Sequence, residues 1–200
     1  MMRIVSYLFH PLLMASYVFI VLQNFAPEVF IQIPESEIST VLLITFFTTA
    51  LVPAGSIVLL RLTSRITSLD IADRKERLFP FTTILIYYAT SSYFFITILP
   101  IPVVNVMMAA VTLLILILLI ITIKKKISIH SAGIWGATGM LVALEVLGIG
   151  DLMYPICTGF IMAGLVSTAR LSQSLHSPRQ IWSGAALGFS ICFLGVLLFG

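Results

Sequence analysis

In the stretch "ARLSQSLHSPRQIWSG", residues 169–184, five residues separate Arg170 from His176, and a helix start follows at once. Ser177 can cap that helix, Pro178 suits its first position, and Gln180 is the third-position partner of a capping box. A helix N-terminus offers main-chain N–H groups and a partial positive charge. A guanidinium one short loop away adds a bidentate donor matched to phosphate. The expected occupant is an anion. A second stretch, "KKKISIHSAGIWGATG", residues 124–139, repeats the chemistry, with Ser128 and His130 opening another apolar segment. An imidazole can be nucleophile or proton donor near neutral pH, and fixed cations stabilise charge that develops on phosphoryl oxygens.

Those polar groups stand in a chain that is 60% hydrophobic and 10% charged over 200 residues, with a mean hydropathy of +1.13. Apolar runs of about 20 residues are the signature of transmembrane helices. Seven are expected, at about 4–23, 40–62, 80–99, 103–123, 128–149, 155–170 and 179–199, the ends being good to a few residues. The fold class is therefore all-α: a polytopic membrane helix bundle forming a single integral membrane domain over 1–200. The first run, preceded only by Arg3, reads as a retained anchor. Its partner is the lipid bilayer, and no nucleic-acid partner is expected. Cys157 and Cys192 lie inside apolar runs without metal-ligand spacing, so neither a disulfide nor a metal site is expected.

Threading seven spans through a bilayer sorts the connections by side. Arg3, Arg61, Arg65, Arg74, Lys75, Arg77, Lys124, Lys125, Lys126, Arg170 and Arg179 all fall on one side, and they are all eleven basic residues of the chain. Glu28, Glu35, Glu37 and Asp151 fall on the other. The positive-inside rule then predicts a multi-pass protein of the cell (inner) membrane with its N-terminus cytoplasmic and its C-terminus outside. His10, His130 and His176 share the basic side. Of these, His10 reads as an interfacial polar group.

Close helix packing is expected to bring the later two histidines together. Ala132, Gly136, Gly139 and Ala143 draw a small-residue face along the fifth span; Gly159, Ala163 and Ser167 do so on the sixth, and Gly184, Gly188, Cys192 and Gly195 on the seventh. Such faces let backbones approach. The basic ends of these spans carry His130, Arg170 and His176, which predicts one shallow pocket at the membrane surface. Pro53 is expected to kink the second span. Glu145, about 22 Å along the helix from His130 at 1.5 Å per residue, is expected near the opposite face.

The pattern resembles the type 2 phosphatidic acid phosphatases. Their third motif runs Ser-Arg, five residues, His, three residues, Asp; here Ala169, Arg170, His176 and Gln180 occupy those positions, with Pro178 and Gly184 as commonly found. The second motif, Pro-Ser-Gly-His, is met by Ser128 and His130, with Ile127 and Ile129 replacing Pro and Gly. For the first motif, "DRKERLFP" offers Lys75, Arg77 and Pro80 at altered spacing. The resemblance is strongest over 128–190. It implies a six-helix phosphatase-like core and a phosphohydrolase that needs no metal or cofactor and acts on a membrane lipid phosphate or diphosphate. By the same resemblance His176 would become phosphohistidine, His130 would protonate the leaving group, and Gln180 would take the orienting position usually held by an acid. Arg170, Lys75, Arg77 and Ser128 would bind phosphate.

Two other readings compete. A non-catalytic protein of the same fold could bind or transport lipid phosphates, which Gln180 and the altered motifs favour. A magnesium-dependent transferase could use Asp70 and Asp73 of "LDIADR", although two-metal lipid transferases generally need a second acidic cluster, which this side of the chain lacks.

Overall fold

The computed structural model describes residues 2–67, 74–99 and 101–200; Asp70 and Asp73 lie outside them, as does the side chain of Lys75. Among the described residues the fold is all-helical. The elements are α1 (Met2–Leu8), a 3-10 turn (Pro11–Leu13), α2 (Met14–Phe25), a second 3-10 turn (Pro27–Phe30), α3 (Glu35–Phe46), a π-helical turn (Phe47–Leu51) and α4 (Val52–Leu62). After these come α5 (Arg74–Ile98), α6 (Pro102–Lys124), α7 (Ile129–Val146), α8 (Met153–Ser172) and α9 (Pro178–Phe199).

Seven candidate membrane spans result: Ile4–Phe25, Glu35–Leu62, Glu76–Ile98, Pro102–Lys124, Ile129–Val146, Met153–Ser172 and Pro178–Phe199. They match the seven expected apolar runs in number and order. The second starts five residues earlier than expected, because Glu35 and Glu37 sit in the first turn of α3, where carboxylates favour the helix dipole. Pro102 and Pro178 take early helical positions where a missing N–H costs nothing. In the second span the helix continues past Pro53 through the wider π-helical turn, and Thr45 and Thr49 return hydroxyl hydrogen bonds of 2.8 and 2.7 Å to the carbonyls of Val41 and Thr45.

α7 is the most enclosed span, and its longest contact is with α9. A methyl group at Gly188 would fall onto the carbonyl oxygen of Ala132, with the Ala132 carbonyl carbon and Cα at 2.8 and 2.9 Å. At Gly184 it would strike the Ser128 carbonyl oxygen. Only glycine permits that approach. α8 lies on another side of α7, where a methyl group at Gly159 would stand 3.0 Å from the Thr138 hydroxyl, and makes little contact with α9. The small-residue faces of α8 and α9 therefore meet α7 separately rather than in a common three-helix seam, and Gly195 at the far end of the α9 face lies against Ala110 of α6. Beyond this centre, Phe19 packs against Phe30 and Phe95 at ring-centroid distances of 6.2 and 5.8 Å, joining α2 to α5 and the loop after α2.

Gly148 and Gly150 turn the chain between α7 and α8 with φ of 73° and 81°. Glu145 closes the same turn by accepting the Leu152 N–H at 2.7 Å. It is a structural cap at the far end of α7 from His130.

Candidate functional site

The starts of α7 and α9 are stitched together before any cavity is formed. Ser128 caps α7, its hydroxyl accepting the Ser131 N–H at 3.4 Å. The Ser128 N–H donates to the Gln180 carbonyl at 3.2 Å, and the Ser131 hydroxyl donates to the Ile181 carbonyl at 2.9 Å. These links orient the two helix starts as well as bringing them close.

At the α9 start the capping box is complete. Ser177 Oγ accepts the Gln180 N–H at 3.4 Å, and Gln180 Oε1 accepts the Ser177 N–H at 3.3 Å. The second bond decides which end of the amide is oxygen, because a main-chain N–H needs an acceptor. That same oxygen lies 3.1 Å from His176 Nδ1. His176 must then carry a proton on Nδ1, and in the neutral ring Nε2 holds the lone pair. Gln180 caps the helix and sets the tautomer of His176 with one atom.

His176, at 8% exposure, lines a cavity of about 330 Å³. Arg77, His130 and Arg170 line it too. The four come from α5, α7, α8 and the loop before α9, so residues nearly one hundred apart in the chain face one space. Arg77 and Arg170 are each 3% exposed. Arg77 Nη1 donates to the Ile127 carbonyl at 3.4 Å, tying α5 to the loop that opens α7. The walls away from these groups are apolar and include Ala54, Ile57, Phe81 and Ile84.

Of the expected site residues, Arg77, His130, Arg170 and His176 meet at the cavity, and Gln180 holds His176 from behind. Ser128 is fully buried as the cap of α7 and does not line the cavity. His10 is the residue that sequence reading passed over. It lines the cavity, and its ring meets that of His130 edge to face at 5.1 Å between centroids. The signal was the pair His10-Pro11 inside an apolar span, since an ionisable residue there is a functional candidate by default.

Buried cations act on His176. Burial pushes its imidazole down to about 4, with the charges of Arg77, Arg170 and Lys126 adding to the fall and the Gln180 hydrogen bond opposing it. Lys126 is itself lowered by burial and by Arg77 and Arg170. His176 is thus neutral at physiological pH, and the local field favours an anion. An unfolded chain takes up this proton near 6.5 while the folded site resists it until about 4, so the unfolded state binds more protons across that interval. The contribution to stability is complete above about 6.5 and is lost as pH falls toward 4. The melting temperature of detergent-solubilised protein should drop over that window, and His176→Gln should make the drop smaller; equal drops in both proteins would refute this assignment.

Among the described residues no cluster of three or more His, Cys, Asp or Glu could hold a metal ion. Both cysteines are free, Cys157 exposed and Cys192 buried. Compared with known proteins, the chain matches no family model, no curated protein and no solved structure.

Proposed function

We propose that the chain is a membrane phosphatase that hydrolyses a lipid phosphate or diphosphate through a phosphohistidine at His176. The observation that carries this reading is the meeting of two buried guanidiniums with His130 and His176 on one cavity whose remaining walls are apolar. Cations and N–H donors suit a phosphoryl group, and apolar walls suit the chain attached to it. The resemblance of 128–190 to type 2 phosphatidic acid phosphatases supports the same assignment.

In the first step the Nε2 lone pair of His176 forms an N–P bond while the bond from phosphorus to the leaving oxygen breaks. The electron pair stays on that oxygen, which receives through His130 the proton that a hydrogen-phosphate monoester brings into the cavity. Arg77 and Arg170 stabilise charge on the other phosphoryl oxygens. Gln180 accepts the Nδ1 hydrogen of the phosphorylated ring. In the second step water attacks phosphorus, neutral His130 removes its proton, and the N–P electron pair returns to Nε2. The balance is lipid phosphate plus water giving lipid alcohol plus phosphate, with no metal or cofactor required.

Purified protein in EDTA should release phosphate from short-chain phosphatidate or a polyprenyl phosphate or diphosphate. A second reading, a non-catalytic binder or transporter of the same lipids, is favoured by Gln180, whose amide brings no negative charge to the phosphorylated ring. Absence of release from the whole panel, with lipid-phosphate binding retained, would select it.

The site is assigned to the cytoplasmic face of the cell membrane because all eleven Lys and Arg residues fall on its side. Alkaline phosphatase fused to the C-terminus should be active, and fused after Lys125 inactive. The reverse pattern would move the site to the outer face.

A further inference from the structure

The first span is broken at its basic end. α1 stops at Leu8 and α2 begins at Met14, with His10 capping the 3-10 turn Pro11–Leu13 between them. Pro11 forces the residue before it out of the helical region, and His10 has φ −66° and ψ 138°. Its ring then supplies an acceptor where the helix has lost one: His10 Nδ1 takes the Leu12 N–H at 3.3 Å. That bond leaves the lone pair on Nδ1 and, in the neutral ring, the proton on Nε2.

The break lies directly against α7. A methyl group at Gly133 would come within 3.2 and 3.3 Å of the Pro11 Cβ and Cα, one turn beyond His130. His130 is in edge-to-face contact with His10 and is hydrogen-bonded to the Ser6 main chain. Two groups of the first span, Ser6 and His10, two residues either side of Leu8 at the end of α1, therefore hold the ring of His130 where it faces Arg170 and His176. A break in a membrane helix is costly unless its main-chain groups are satisfied, and this one delivers an imidazole to the cavity.

We propose that His10 is a positioning residue for His130, fixing the ring that protonates the leaving oxygen; the proposal rests on the phosphatase reading. Misplacing a reacting group by about 1 Å can cost on the order of 10²-fold in rate. The effect should be confined to substrates whose leaving oxygen needs a proton. An alkoxide leaves poorly without one, whereas p-nitrophenolate leaves unaided.

The test compares wild type, His10→Asn and His130→Ala on short-chain phosphatidate and on p-nitrophenyl phosphate. Asn keeps an acceptor for the Leu12 N–H, since it is a favoured cap, and removes only the imidazole. With an unchanged melting temperature, His10→Asn should lower kcat on phosphatidate about 10²-fold, leave KM within about twofold, and lower the rate on p-nitrophenyl phosphate far less. His130→Ala should show the same substrate selectivity, only larger. Equal losses on both substrates, or no loss on either, would overturn the role of His10 while leaving the phosphatase reading standing. A wild type that releases no phosphate from either substrate would overturn both.

Discussion

His176→Ala should lower phosphate release by about 10⁴-fold or more, the scale seen when a nucleophile or its tautomer is lost from a preorganised site. Its Nε2 lone pair is fixed by a bond on the far side of the ring, from Nδ1 to Gln180. Alanine removes the attacking atom but leaves the Ser177 and Gln180 cap bonds in place, so the melting temperature should change little. The companion variant, Gln180→Asp, works in the opposite direction on chemistry. A carboxylate would hold the same Nδ1 hydrogen and would also stabilise the cationic ring. Turnover should rise, by up to about 10⁴-fold if the neutral amide is what limits it. Stability should fall by about 1 kcal/mol, because Asp is one methylene too short to keep the return bond to Ser177. Measuring release and melting on the same samples separates the two effects. A rise that survives in the double variant with His176→Ala would show that the activity does not pass through His176.

Gly188→Val should dismantle the site from a distance. Its Cβ would collide with the main chain of Ala132, not with a flexible side chain, so α9 must move away from α7. Over-packing of this kind costs about 3 kcal/mol. The helix starts would then lose the bonds from Ser128 N–H to the Gln180 carbonyl and from the Ser131 hydroxyl to the Ile181 carbonyl. Both stability and phosphate release should fall, although Gly188 does not line the cavity. Gly164→Val is the matched control: it is also a glycine in a span, but a Cβ there meets nothing within 4 Å. That variant should behave as wild type. If Gly188→Val melts as wild type does, the close packing of α7 on α9 is not what assembles the site.

Much of this arrangement can be read before any coordinates are seen, for physical reasons that differ from residue to residue. The spans are legible because the bilayer demands long apolar runs, and their starts because Ser128, Ser177, Pro102 and Pro178 are cap and first-turn residues. The α7–α9 contact is legible in the spacing of Gly184, Gly188, Gly136 and Gly139. Gln180 shows a limit of another kind. In the sequence its capping role and its orienting role are separate readings, yet one oxygen atom serves both.

His10 was missed because its meaning depends on which helix the first span packs against, and no local pattern encodes that pairing. Arg77 is among the expected phosphate-binding residues although its spacing departs from the motif, and only the packing of α5 near the α6–α7 loop explains how it reaches the cavity. The π-helical turn before Pro53 is likewise hidden in the sequence: proline signals a disturbance, but not that Phe47–Leu51 takes the wider turn.

The proposed hydrolysis passes through a covalent bond between His176 and phosphorus. Wild-type protein in EDTA should be mixed with a lipid phosphate labelled in its phosphoryl group, then quenched in alkali, where an N–P bond persists. Label should be found on the protein, should be released by mild acid, and should be absent from His176→Ala. Release of labelled phosphate by His176→Ala at the wild-type rate, or label on the wild-type protein that survives acid, would contradict it.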